Sequence, residues 1–275
     1  MTRPIGLAAL TVLELPPPEA VRCAAAAGYD SVGLRLIPAT DAEPRHPTIG
    51  RTRMVRETLR ALEETGMTVM DIEILRLTPE SAVAADFEPF LETGAFLGAS
   101  QILVAGNDDD RSRLAANFAE LADLAAGYGL TPNIEFMPWT SVPSLADAAS
   151  LLRRVDHENV GLLIDSLHFD RSGSRSQEIA ALKPHWFRYF QLCDATADKP
   201  ASTADLLYEA RHGRLLPGEG ALDLLGPLRR LPADLPVSIE APVATPRPVP
   251  ALQRAVAALG AARTVLAGLD GGPGT

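Results

Sequence analysis

Glu135, Asp165, Gln191 and Glu240 stand at or near the C-terminal ends of four strand-like runs in the second half of the chain. The runs are Asn133-Ile134-Glu135-Phe136, Gly161-Leu162-Leu163-Ile164-Asp165, Tyr189-Phe190-Gln191-Leu192 and Val237-Ser238-Ile239-Glu240. A buried strand rarely holds a carboxylate unless something positive sits beside it. A set of oxygen donors without thiolate or imidazole favours one hard divalent ion: Mn²⁺ or Mg²⁺ first, with Co²⁺ or Zn²⁺ as alternatives. Three carboxylates against one dication leave a net charge of about −1, and open positions for substrate oxygens or water. His168 follows Asp165 by three residues. It is placed to bind substrate, ligate transiently or shuttle a proton. This constellation suits proton transfer next to a ketone. A Lewis acid would stabilise the enediolate left when the α-proton departs. Glu135 and Glu240, from opposite sides of the site, form the natural acid/base pair.

Eight strand-like segments must position these groups: 5–13, 31–37, 68–77, 101–105, 131–137, 160–167, 187–194 and 236–241. Helical patterns alternate with them, starting near Pro18 and at 51–65, 80–97, 111–128, 144–155, 222–231 and 251–267. In the 51–65 segment Val55, Leu59 and Leu62 share one face and Gly66 stops the helix. Ser144 is the expected cap of its helix. Apolar strands alternating with helices predict a parallel sheet covered by helices. Eight such units, without a glycine-rich phosphate loop after the first strand, predict a single (β/α)8 TIM barrel over residues 1–267. Residues 268–275 read as a flexible tail. Loops 38–50 and 195–220 are long and follow the second and seventh strands, on the face where barrels place chemistry.

The chain has 275 residues and a formal charge of −10, which argues against nucleic acid as a partner. No apolar run reaches the roughly 20 residues of a membrane span, and a cytoplasmic location is expected. Met1-Thr2-Arg3-Pro4 and the apolar run after it read as the approach to a first strand rather than a signal peptide. Cys23 and Cys193 lack any Cys-x-x-Cys pairing and read as buried, reduced thiols.

The strand-end pattern is similar to that of the xylose isomerase-like TIM-barrel superfamily, which includes ketose 3-epimerases, hydroxypyruvate isomerase, inosose dehydratase and 3-dehydroshikimate dehydratase. It also includes endonuclease IV, whose histidine-rich zinc cluster has no counterpart among the five histidines here. The resemblance covers about residues 5–267 and is most specific over strands five to eight. In the epimerases Glu, Asp, His and Glu hold the metal. Glu135, Asp165 and Glu240 match, as does the Asp-x-x-His spacing of Asp165 and His168. Gly218-Glu219-Gly220-Ala221-Leu222-Asp223 resembles the family's G-x-G-x-x-D segment. The resemblance gives Glu135 and Glu240 the double task of ligand and proton carrier. Gln191 departs from the epimerase histidine and resembles bacterial 3-dehydroshikimate dehydratases. The stretch 210–218, with Arg211, His212 and Arg214 ahead of Pro-Gly, and Trp139 also look like theirs. Arg211, His212, Arg214 and Trp139 are therefore expected to bind substrate, an arginine taking a carboxylate in bidentate fashion.

Glu73, two residues from Asp71 on the third strand, is a further substrate-binding candidate. Arg35 and His46 are weaker ones, and Asp108-Asp109-Asp110 reads as a solvated loop and helix N-terminal charge. The expected activity is metal-dependent isomerisation or epimerisation of a small keto sugar or related polyol. Dehydration of the 3-dehydroshikimate or inosose type is the alternative, and a non-catalytic metal- or partner-binding barrel is a third reading. The expected partner is a keto sugar, a polyol or a cyclic hydroxy-keto acid. A homodimer fits the family.

Overall fold

A computed structural model describes residues 3–244 and 248–270. The strands are β1 (Ile5–Leu7), β2 (Ser31–Arg35), β3 (Thr68–Leu77), β4 (Gln101–Gly106), β5 (Thr131–Glu135), β6 (Gly161–Asp165), β7 (Phe187–Leu192) and β8 (Val237–Ile239). They pair in parallel in chain order and close into a barrel. The closing register sets Ile5, Gly6 and Leu7 opposite Val237, Ser238 and Ile239. The expected TIM barrel is therefore the fold.

The helices outside it are α1 (Pro17–Ala27), α2 (Arg53–Thr65), α3 (Val83–Phe96), α4 (Arg111–Ala126), α5 (Leu145–Val155), α6 (Ser166–Arg171), α7 (Ser176–Ile179), α8 (Thr203–His212), α9 (Leu225–Leu228) and α10 (Ala251–Asp270). Their starts and stops follow local chemistry. The Thr52 hydroxyl accepts from the Val55 N–H, and Gly66, at φ 70°, ends α2 in a conformation that L side chains resist. Ser144 caps α5 as expected, and Asp110 caps α4 by accepting from the Ser112 and Arg113 N–H groups. Val55, Thr58, Ala61 and Leu62 give α2 its buried face.

Two apolar layers hold the fold. The larger lies between strands and helices and includes Leu75, Phe90, Phe118 and Leu151. The smaller fills the barrel with Met70, Ile74, Leu103, Met137, Leu163 and Tyr189. Burying one such side chain stabilises by about 1.5–3 kcal/mol. Cys23 and Cys193 are free and buried, as expected.

Four expectations change. The first strand ends at Leu7, and Ala9–Val12 forms a 3-10 turn. Thr11 fixes that turn, its hydroxyl donating to the Ile239 carbonyl and accepting from the Ala241 N–H. The sixth strand stops at Asp165 because its carboxylate caps α6. The long loop after β7 contains a helix, α8, capped by the Ser202 hydroxyl on the Asp205 N–H. The helix α10 continues through Gly268 to Asp270, and residues 271–275 of the expected tail lie outside the described residues.

Candidate active site

Barrel register brings the strand-end residues to one mouth. Asp165 on β6 sits opposite Gln191 on β7, Glu135 on β5 sits opposite Ala105 on β4, and Glu240 follows the last residue of β8. A cavity of about 240 Å³ opens there, lined among others by Arg35, Glu73, Glu135, Trp139, His168 and Glu240. A larger cavity of about 680 Å³ lies at the opposite end, between Arg3, Asp30 and α10. It gathers no cluster of carboxylates.

Glu135, Asp165 and His168 each offer a ligand atom, all within 4.8 Å of one another, and all three are buried. Of the expected donors Glu135, Asp165, Gln191 and Glu240, the first two lie in this group, and His168 lies with them. Asp165 positions the imidazole. Its Oδ1 accepts from the Leu167 and His168 N–H groups at 2.8 and 3.0 Å, and that tight first turn of α6 folds the imidazole back over the carboxylate. Arg214 ties Glu240 to the same mouth. Its guanidinium donates to Asp165 Oδ2 at 2.5 Å and reaches Glu240 Oε2 at 2.9 Å. One cation thereby holds the two carboxylates, and Arg214 is only 2% exposed.

Gln191 is fully buried, and neither its Oε1 nor its Nε2 has a partner. Glu135 Oε1 and His168 Nδ1 are likewise without hydrogen bonds. Buried polar atoms left without a partner are costly, at about 1–3 kcal/mol each. Oxygen donors and an imidazole left unsatisfied in one place are what a divalent cation requires, so the residues fit that group. His168 Nε2 lies 3.7 Å from Glu135 Oε1, too far for a hydrogen bond.

The charges respond to burial. Burial pushes Glu240 up to about 8, with Arg214 opposing and Glu73 adding to the rise. Glu135 is held well above the ordinary carboxylate range by burial and by the Glu240 and Asp165 charges. Burial acts upward on Asp165 too, but Arg214 and His168 overcome it and hold it low. Burial takes His168 down to about 4, which leaves the imidazole neutral and its ring nitrogen free to accept.

The other expected residues divide. Trp139 meets the His168 ring edge-on, centroids 5.0 Å apart. Glu73 lines the mouth but is tied to Arg35 at 2.7 Å, and Arg35 also holds Glu43 at 2.9 Å. Arg211 lines the cavity, whereas His212 is exposed and packs against Tyr208 outside it. With Arg211 it lines an adjoining cavity of about 710 Å³. His46 lies in a separate small cavity beside Arg35. Asp108 pairs with Arg113 rather than with the site.

Sequence reasoning missed several supports. The Asp194 carboxylate accepts from the N–H groups of Ala195, Gly218, Gly220 and Leu222 and thereby folds the Gly-Glu-Gly turn. A Cβ on Gly220 would come within 2.2 Å of the Ala195 carbonyl oxygen. Arg171 on α6 grips Glu209 on α8 with two hydrogen bonds at 2.9 and 2.7 Å, and so ties the helix carrying Arg211 to the one carrying His168. Arg76, also in the lining, carried a readable signal as an arginine at the end of an apolar strand.

A family model described as xylose isomerase-like TIM barrel matches residues 21–263. The chain belongs to that family. It is 33% identical over 136 residues to a 3-dehydroshikimate dehydratase of Pseudomonas aeruginosa, a match covering 47% of this chain and 21% of that protein. It is 27% identical over 171 residues to an inosose isomerase of Bacillus velezensis, covering 58% of this chain and 59% of that protein. The chain thus spans about a fifth of the one and under two thirds of the other. A crystal structure described as the IOLI protein with a bound zinc atom superposes with a TM-score of 0.78 at 19% identity, over 97% of this chain and 99% of that one. Its relatives in the family are thus named isomerases and dehydratases. Among the described residues no helix is long and apolar enough to cross a membrane.

Proposed function

We propose that this barrel is a divalent-metal-dependent enzyme that removes the proton α to the carbonyl of a small polyhydroxy ketone, and isomerises or epimerises it. The observation that carries this reading is the pair Glu135 and Glu240: two buried carboxylates in one mouth, both pushed toward neutrality by burial. A carboxylate held above its ordinary range is a stronger base and can take a proton and return it. Glu135 Oε1 has no competing hydrogen bond, so the carboxylate is available both to the ion and to the proton. Glu240 Oε2 is oriented by Arg214, which fixes the second proton carrier. Return of the proton to the opposite face gives an epimer, and return to the adjacent carbon gives an isomer.

Glu135, Asp165 and His168 would hold the ion, with Gln191 Oε1 and Glu240 as further donors. When bound, a divalent ion supplies Lewis-acid stabilisation of negative charge. Trp139, Met137, Leu103 and Ile74 form the apolar wall that keeps water from the acids. The substrate is a keto sugar, a polyol or a cyclic hydroxy-keto acid.

Dehydration is the second reading, because loss of a β-hydroxyl shares the first step. Gln191 and the similarity to the Pseudomonas dehydratase favour it. Incubation of Mg²⁺-loaded protein with a panel of ketones in D₂O, followed by NMR, tests the shared step. Deuterium entering the α-carbon of one of them supports it. An unchanged spectrum for every ketone refutes it.

A further inference from the structure

The cavity of about 680 Å³ lies at the N-terminal ends of the strands, on the barrel face opposite Glu135 and Glu240. Its volume is in the range of small-molecule sites. Four charged residues from four segments line it. Arg3 comes from the stretch before β1, Asp30 from the turn before β2, Arg229 from the C-terminal cap of α9 and Arg263 from α10. Among the described residues none of the three arginines forms an ion pair. Their guanidinium groups donate to backbone carbonyls instead: Arg3 to Leu228 and Leu235 at 3.0 and 3.1 Å, Arg229 to Gly268 and Arg263 to Gly28, each at 3.3 Å. Asp30 is engaged elsewhere, its Oδ2 accepting from the Ile5 N–H at 2.8 Å. Burial lowers the Arg3 pKa, and the Asp234 charge opposes that shift without forming an ion pair. Gly28 caps α1 and Gly268 lies in the last turn of α10. A helix end offers about half a negative charge, which anchors these guanidinium groups without balancing three cations. The three arginines against one carboxylate leave a formal charge of +2 in the lining. Leu228, Leu231, Leu266 and Leu269 add an apolar wall beside that charge.

We propose that this cavity binds an organic phosphate monoester, with the phosphate among Arg3, Arg229 and Arg263 and the apolar body against the leucines. A phosphate monoester carries about −1.5 to −2 near pH 7, which matches the excess charge. The donors that the arginines keep free suit phosphate oxygens, because the planar guanidinium fork takes two at once. A carboxylate leaves part of the charge unmatched, and inorganic phosphate leaves the leucines uncovered. The described lining holds no serine, cysteine or histidine, and its one carboxylate is already engaged, so the site binds rather than reacts. It stands independently of the proton chemistry at the other end of the barrel.

Calorimetric titration of the full chain tests this, after chelator treatment so that no metal at the mouth captures the phosphate. Hexyl phosphate should bind at least about tenfold more tightly than inorganic phosphate, heptanoate or hexanol. Arg229 and Arg263 are exposed, so Arg229→Gln and Arg263→Gln should keep the wild-type urea midpoint. Each should weaken hexyl phosphate at least about fivefold. Ala267, exposed on α10, also lines the cavity. Ala267→Trp fills the space, leaves the arginines in place, and should abolish binding. Absence of saturation by hexyl phosphate at about 10 mM overturns the proposal. So does an affinity that none of the three variants changes. Loss of binding in Arg211→Gln alone places the phosphate at the other mouth and also overturns it. Equal affinity for heptanoate overturns the assignment to a phosphate, and equal affinity for hexanol removes the arginines from the site.

Discussion

Arg214 and Asp165 are joined across 49 residues of chain by a hydrogen bond of 2.5 Å in which both side chains are buried. The same guanidinium reaches Glu240, so the two carboxylates share one cation. Removing one partner of such a group leaves the other buried charges uncompensated. Arg214→Met in metal-free protein should lower stability at pH 7 by about 3–5 kcal/mol, measured by urea unfolding. Saturating Mg²⁺ should recover part of that loss, because a dication bound to the folded state supplies charge compensation. A loss below about 1 kcal/mol contradicts the role assigned to Arg214.

Gln191 yields a prediction with two signs. Its amide is buried without partners, so Gln191→Leu removes an unsatisfied polar group and should leave the metal-free protein as stable or more stable. If the amide oxygen is a metal donor, the same change should weaken Mg²⁺ or Mn²⁺ binding at least about tenfold, read by titration of chelator-treated protein. Unchanged affinity removes Gln191 from the donor set.

Asp71 lies deeper in the barrel, where the Tyr189 hydroxyl donates to its Oδ2 at 2.9 Å. Burial, with the Glu73 charge, holds Asp71 well above the ordinary carboxylate range. The folded state therefore keeps this proton to higher pH than the unfolded chain, whose Asp titrates near about 3.9. Its contribution to stability is complete below that value and declines as pH rises through the folded-state pKa. Asp71→Asn, which keeps an acceptor for Tyr189, should be more stable than wild type at pH 7. That advantage should vanish on lowering the pH to about 4. An advantage independent of pH contradicts the assignment.

The barrel and its strand ends were legible because apolar strands alternate with amphipathic helices, and because carboxylates at the ends of apolar strands are conspicuous. Gln191 could be placed beside Asp165 for the same reason. Arg214 was harder to read. It comes from the segment after α8, and nothing local shows a loop arginine returning 49 residues to a strand end. His168 was seen as a neighbour of the site, but its place beside Glu135 and Asp165 depends on the turn made when Asp165 caps α6. The helix α8 had a visible start in Ser202-x-x-Asp205, a capping pattern hidden inside what read as loop. The Asp194 contacts depend on four backbone N–H groups and carry no side-chain signature.

The central claim is that Glu135 and Glu240 move the proton. Its most direct test is hydrogen exchange at the α-carbon, read by NMR in D₂O with Mg²⁺-saturated wild type, Glu135→Gln and Glu240→Gln. The substrate is whichever ketone exchanges with the wild type, and metal occupancy is measured in each variant. The expected result is exchange in the wild type and a loss of at least about 100-fold in each variant at full metal occupancy. Exchange at the wild-type rate in both metal-loaded variants would contradict the claim.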